Sequence, residues 1–192
     1  FPDDFIKQLN HMFMCGNYGD PIVAKDTLAV FKHFRKVNPN IYLSMNTNGS
    51  ARTQDWWRDL AKTIGTDGYV IFSIDGLEDT NYLYRKNTVW EKIIDNAKAF
   101  VDAGGIAHWE YIVFEHNQHQ IEEARRLSEQ MGFTKFQVKK SARFFSSMSG
   151  SSKSHIETVD RTGAKVVIRE PSDALYANKT TKEMSSIAEE KE

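Results

Sequence analysis

The chain has 192 residues, 40% of them hydrophobic and 27% charged, with a formal net charge of −1; this is the composition of one ordinary globular domain with a real core. No basic stripe argues for nucleic acid or an anionic membrane surface, no apolar run has the length of a membrane span, and the opening FPDDFIKQLN does not read as a signal peptide. A single cysteine, Cys15, excludes an internal disulfide framework and suits a reducing, cytoplasmic compartment.

Short apolar runs alternate with helical periods along the chain. The predicted strands are His11–Cys15, Ile41–Met45, Tyr69–Ile74, His108–Phe114 and Phe133–Val138. The first predicted helix runs from about Val23 to Val37 and stops before Pro39. The second carries the stripe Trp56, Trp57, Leu60, Ala61 and Ile64 and ends at Gly65. The third opens with Thr88-Val-Trp-Glu91, the pattern of a capping box, and closes at Gly104. The fourth is capped by Asn117, buries Ile121 and Ala124, and ends at Gly132. Strands and helices in strict alternation imply βαβ crossovers and a parallel sheet. Near-continuous apolar strands such as Tyr69–Ile74 suit a sheet buried on both faces. Periodicity leaves open whether that sheet is doubly wound or a partial barrel.

After Phe145 the character changes. Residues 1–145 read as the α/β unit, Ser146–Ser154 as a Ser-rich linker, 155–178 as a region opening with a β-hairpin (His155–Val159 with Ala164–Ile168), and 179–192 as a polar, disordered tail.

In parallel α/β folds, ligands bind beyond the carboxyl ends of the strands. Every predicted strand here ends in small, amide or charged residues, from Gly16-Asn-Tyr-Gly-Asp-Pro21 and Asn46-Thr-Asn-Gly49 to Ser73-Ile-Asp-Gly76, Glu115-His-Asn117 and Lys139–Arg143. The first is neither a dinucleotide fingerprint, lacking the third glycine, nor a P-loop, lacking Gly-Lys-Ser/Thr. A strand ending in two glycines presents bare backbone carbonyls and amides, which suit a ligand ammonium. Cys15 is expected to be buried and unreactive, and Trp56, Trp57 and Trp90 to pack in the core.

The order Gly16–Pro21, Thr47-Asn-Gly49, Ser73-Ile-Asp-Gly76 and Tyr84-Arg85 resembles the radical S-adenosylmethionine (radical SAM) enzymes, most of all those with a SPASM or twitch auxiliary domain. The resemblance covers roughly residues 3 to 145 and implies a partial (β/α)6 TIM-like barrel lacking its first strand. It implies cofactor-binding roles for matching positions. Gly16, Asn17, Tyr18, Gly19, Asp20 and Pro21 would hold the methionine ammonium, and Thr47, Asn48 and Gly49 would line the cofactor floor. Ser73 would reach the ribose or carboxylate, and Arg85 would pair with the carboxylate. Val113, Asn117 and Val138 would lie against the adenine, while Asp75 would face a substrate.

In such enzymes one electron from a 4Fe–4S cluster cleaves S-adenosylmethionine to methionine and a 5′-deoxyadenosyl radical. The implied partners are an electron donor such as flavodoxin or ferredoxin, and a peptide or protein substrate, with a small molecule left open. The family's three cluster cysteines, in a CxxxCxxC loop after the first strand, are not in this sequence. The expectation is therefore a piece of a longer enzyme, with the cluster loop upstream of Phe1, inert by itself. Two other readings compete. One is a metal-dependent hydrolase or lyase using His116 and His119 with Asp75. The other is a degenerate barrel acting as a binding module.

Overall fold

The alternating pattern folds, in the computed structural model, as a run of β and α units; residues 1–16, 18–146, 151–159 and 164–177 are described. In chain order these are α1 (Asp3–Ile6), β1 (His11–Met14), α2 (Thr27–Val37), β2 (Tyr42–Thr47), α3 (Gln54–Ile64), β3 (Gly68–Ser73), α4 (Asn81–Tyr84), α5 (Trp90–Asp102), β4 (Ala107–Ile112), α6 (Ile121–Gln130) and β5 (Lys135–Lys139). Two short antiparallel pairs follow, β6 (Phe145–Ser146) with β7 (Ser151–Ser152) and β8 (His155–Val159) with β9 (Lys165–Arg169).

The five long strands are all parallel and lie in sequence order, β1-β2-β3-β4-β5. Right-handed crossovers between successive strands put every connecting helix on the same side of such a sheet. A doubly wound sheet needs a reversal of strand order, and none occurs. The sheet is therefore the singly wound, partial-barrel alternative.

This topology corrects the expectation of burial on both faces. Leu43, Met45, Val70, Phe72, Ala107, Trp109 and Tyr111 point to the helix side and are fully buried. Trp57 packs on Phe72 with ring centroids 5.3 Å apart, and Phe133 bridges Phe72 and Trp109. Residues of the opposite parity form the other face, where His11, Tyr42, Tyr69 and His108 make a continuous aromatic row across four strands. Tyr42 and Phe13 stay exposed there. Trp57 is fully buried, whereas Trp56 and Trp90 are partly buried against the core.

Helix boundaries differ from the sequence pattern where polar side chains found other work. Residues Pro21–Val23 form a 3-10 turn, and α2 starts only at Thr27. The predicted capping box is absent: Thr88 donates its hydroxyl to the Arg85 carbonyl at 2.6 Å, and α5 begins after Val89. Asn117 likewise caps nothing, because a 3-10 turn, Gln118–Gln120, precedes α6 and the Asn117 side chain turns inward. By contrast α3 is capped as its sequence suggests, by Thr53 accepting from the Trp56 amide, and ends at Gly65 with φ +63°.

The β8–β9 hairpin forms as predicted and docks on the sheet's carboxyl end. Ile168 is buried with Phe114 and Phe144 in a second apolar cluster, and the Glu115 amide donates to the Arg169 carbonyl at 3.1 Å. The stretch expected to be a linker takes part in the β6–β7 pair. Residues 147–150, the hairpin turn 160–163 and the tail from 178 onward lie outside the described residues.

Candidate functional site

The first carboxyl-end turn is built around Asp20. One oxygen of its carboxylate accepts from the Ile22 amide at 3.2 Å and the other from the Asn48 amide at 2.7 Å. The turn after β1 is thereby tied to the end of β2. Gly16 makes the turn with φ +71°, and a Cβ there would press on Pro21 Cδ and the Gly19 carbonyl at 3.2 and 3.3 Å; only glycine takes this backbone without strain. At the end of β2, Thr47 and Asn48 accept from the amides two residues on, at 3.0 and 2.9 Å. Their neighbour Asn46 differs: its Oδ1 is buried and has no hydrogen-bond partner. A buried amide oxygen without a donor costs about 1–3 kcal/mol.

Arg85 comes to the same place by a longer route. It follows the single turn α4, donating its own amide to the Asn81 carbonyl at 2.8 Å. That turn is pinned from several sides. The Asn81 side chain accepts from the Asp75 amide at 2.9 Å, the Thr80 hydroxyl donates to Gln120 Oε1, and the Leu77 amide donates to the same oxygen at 3.1 Å. The Arg85 Nε then donates to Asp75 Oδ2 at 2.5 Å, which leaves its terminal nitrogens free to face outward.

Asp75 does not face a substrate, contrary to expectation. Its side chain is fully buried, and its second oxygen accepts from the Ile112 amide at 2.6 Å. Burial raises its pKa, with the attraction of Arg85 opposing that rise. Its role is to fix the guanidinium.

The pocket that results, about 290 Å³, brings together six of the sequence-predicted residues: Gly16, Asp20, Thr47, Asn48, Ser73 and Arg85. Cys15 and Asn46 complete its wall. Cys15 is exposed rather than buried, because it follows an edge strand and shares the outward parity of Phe13. Asn46 was legible as part of the strand-end group but not as a residue with a free acceptor. Chemically the wall is divided. It supplies acceptors, the Asn46 amide oxygen and the Asp20 carboxylate, and donors, the Ser73 hydroxyl and the Arg85 guanidinium. Such a division fits a zwitterion, an ammonium toward the first set and a carboxylate toward the second.

The other predicted contacts lie elsewhere. Tyr18 is fully exposed and Pro21 buried; neither they nor Gly19 line the pocket, and Asn17 lies outside the described residues. Gly49 is buried, its carbonyl taken by the Asn96 side chain at 2.8 Å. Val113 is fully buried in the core and Val138 is packed partly against it. Asn117 is also fully buried, and its amide is consumed: it accepts from the Phe114 amide at 2.7 Å and donates to the Asp75 and Ile112 carbonyls, each at 2.9 Å. In this arrangement Val113 and Asn117 offer nothing to an adenine. They were misread because their places after β4 look alike whether the side chain turns out or in.

The metal reading finds no support. His116 stacks on Phe114 with rings 5.4 Å apart, and burial, with His119 nearby, lowers its pKa to about 4. Among the described residues, no three His, Cys, Asp or Glu side chains are grouped to hold a metal ion, and no helix is long and apolar enough to cross a membrane.

No protein-family model matches the sequence, and no curated protein does. Solved structures do share the fold. Streptococcus suis SuiB bound to S-adenosylmethionine superposes with a TM-score of 0.56 at 17% identity, over 67% of this chain and 29% of that one. The anSMEcpe protein with bound AdoMet and Kp18Cys peptide gives 0.54 at 18% identity, over 71% and 41% of the two chains. Archaeal TYW1 gives 0.53 at 14% identity, over 84% and 57%. At such identities the likeness establishes the α/β partial-barrel fold. The chain spans less than a third of SuiB's length and about two-fifths of anSMEcpe's.

Proposed function

We propose that the chain is the core of a radical SAM enzyme and that the pocket beside Gly16 binds the methionine half of S-adenosylmethionine. The observation that carries this reading is that Asn46, whose Oδ1 is buried without a hydrogen-bond partner, and Arg85 line one pocket at the carboxyl rim of a parallel sheet. An ammonium would satisfy that oxygen, and a carboxylate would take the free guanidinium edge and the Ser73 hydroxyl. The pocket's size suits the amino-acid end of the molecule, with the nucleoside along the open rim. That structures of similar fold carry S-adenosylmethionine supports the same assignment.

When bound, and given one electron, S-adenosylmethionine supplies a 5′-deoxyadenosyl radical that abstracts hydrogen from a substrate. This chain's residues would bind and orient it. Asp75 holds Arg85 in place, and Asp20 holds the Gly16 turn against Asn48. A 4Fe–4S cluster does not fit the residues present, since Cys15 is the only cysteine and such a cluster needs several thiolates. The peptide substrate, the auxiliary domain and the electron donor stay part of the proposal, as does the inertness of this chain by itself. The single cysteine also favours a second reading, a barrel that binds the nucleoside without chemistry.

Isothermal titration calorimetry with S-adenosylmethionine tests the binding step. Asn46→Leu and Ser73→Ala are each expected to weaken it about tenfold, the value of one hydrogen bond to a charged group. Decarboxylated S-adenosylmethionine should bind more weakly than the parent to wild type and to Asn46→Leu alike. Equal affinity of wild type and both variants would end this reading. In a form of the protein extended upstream to carry the three cluster cysteines, assay for 5′-deoxyadenosine after anaerobic iron and sulfide reconstitution separates the enzyme from the binding module. This chain, with its single cysteine, yields none under either reading.

A further inference from the structure

A second cleft, of about 550 Å³, opens on the far side of Arg85, between α4, the 3-10 turn Ala142–Phe144 and the β8–β9 hairpin. Its floor is apolar, from Leu83, Ile156 and Ile168, and its rim carries Arg85, Lys86 and Arg143. These three cations are not equivalent. Arg85 is held by Asp75. Lys86 donates to the Thr158 hydroxyl at 2.8 Å and to the Val159 carbonyl, binding the hairpin down. Neither Lys86 nor Arg143 has a carboxylate partner among the described residues, and of the two only Lys86 is spent on the hairpin. The Arg143 guanidinium lies over one side of Tyr84, 5.4 Å from the ring centroid, with that of Arg85 also against the ring at 5.3 Å. Stacking orients a planar guanidinium while leaving its in-plane N–H edge free to pair.

We propose that this cleft is the substrate site next to the S-adenosylmethionine pocket, and that it takes a carboxylate carried on an apolar body, with Arg143 as its partner. The inference rests on the radical SAM reading for the word substrate, though not for the chemistry of the cleft. The Arg143 guanidinium touches the Tyr84 side chain with one N–H and keeps further in-plane donors for one carboxylate. A phosphate dianion fits less well, because the other two cations are committed and the Glu157 carboxylate also lines the wall. Leu83, Ile156 and Ile168 give the body of the ligand its apolar seat. Arg85 lines both cavities, so a ligand in this cleft borders one in the other.

The test uses the full chain and the pair N-acetylleucine and N-acetylleucinamide, which differ only in the carboxylate. Binding is read from the arginine Nε–Hε NMR signals. The acid is expected to shift the Arg143 signal saturably and to bind at least tenfold more tightly than the amide. Arg143→Gln, at an exposed position, should abolish that preference, and Arg143→Lys should keep part of it. A peptide with a free C-terminal leucine, compared with its amidated form, distinguishes a peptide source from a free acid. If only the peptide acid binds, the carboxylate belongs to a peptide. Equal binding of acid and amide in both pairs, tighter binding of inorganic phosphate, or an unchanged preference in Arg143→Gln would overturn the proposal. Preference for the acid in a protein that fails to bind S-adenosylmethionine would uphold the carboxylate site and remove the radical SAM reading alone.

Discussion

Replacing Arg85 by methionine removes the guanidinium from a carboxylate that has no exposure of its own; Arg85 itself is 24% exposed. Asp75 would keep only the Ile112 amide, 2.6 Å away. Breaking a buried pair by removing one partner costs about 3–5 kcal/mol. The protein also has an escape, which is to protonate Asp75. From the reference value of 3.8, neutralising the acid at pH 7 costs at most about 4 kcal/mol, at about 1.4 kcal/mol per pH unit, because burial already holds the folded value higher. The expected destabilisation at pH 7 is therefore about 3–4 kcal/mol.

The sign of its pH dependence follows. Burial already holds the Asp75 pKa above its ordinary value, and loss of Arg85 raises it further. The folded variant then binds a proton that the unfolded chain does not, so its stability recovers as pH falls toward the unfolded value. Urea denaturation of wild type, Arg85→Met, Asp75→Asn and the double variant, at pH 7 and pH 5, reads the coupling. The double variant should be at least about 2 kcal/mol more stable than the sum of the single losses allows. Strict additivity at both pH values would show that the pair does not hold the site together.

Three further outcomes are expected. Asn117→Ala removes one acceptor and two donated bonds from a fully buried position, and should cost about 2–4 kcal/mol in urea denaturation; a loss below about 1 kcal/mol would show the amide is dispensable. His116, with its pKa lowered to about 4, is neutral in the folded state, so its contribution is present above the ordinary value of 6.5 and lost as pH falls toward 4. Partial solvent access reduces that contribution to roughly 1–2 kcal/mol, and the loss between pH 7 and pH 4.5 should shrink in His116→Phe. Gly76→Ala should lower the melting temperature far more than Gly104→Ala. Both glycines have positive φ, but a methyl at residue 76 would strike the Thr80 hydroxyl and lie 2.8 Å from the Asn81 amide, whereas nothing lies within 4 Å at residue 104.

The strands and long helices were legible because their burial follows the two backbone periods, and the sequential alternation of units led to the parallel sheet. The bare turn at Gly16, with Asp20, Asn48, Ser73 and Arg85, was legible as a group because each stands at the carboxyl end of a strand or in the segment that follows it. What the sequence hid was partnership. Asp75 and Arg85 are ten residues apart and were assigned separate ligands, yet they bind each other. Thr88 and Asn117 carry the composition of helix caps, but tertiary hydrogen bonds took their side chains instead. Cys15 was placed inside by its apolar neighbours, and only the strand's position at the sheet edge exposes it.

Each strand of the main sheet pairs only with its neighbours in sequence, so a chain leaving the ribosome can lay down its layers in the order they are made. The Gly16 turn emerges early and Arg85 midway, yet the Ile112 amide and the Gln120 side chain that brace the Asp75–Arg85 segment are synthesised later. Assembly thus runs forward along the polypeptide while the cavity acquires its final shape backward, from groups translated after the residues they secure.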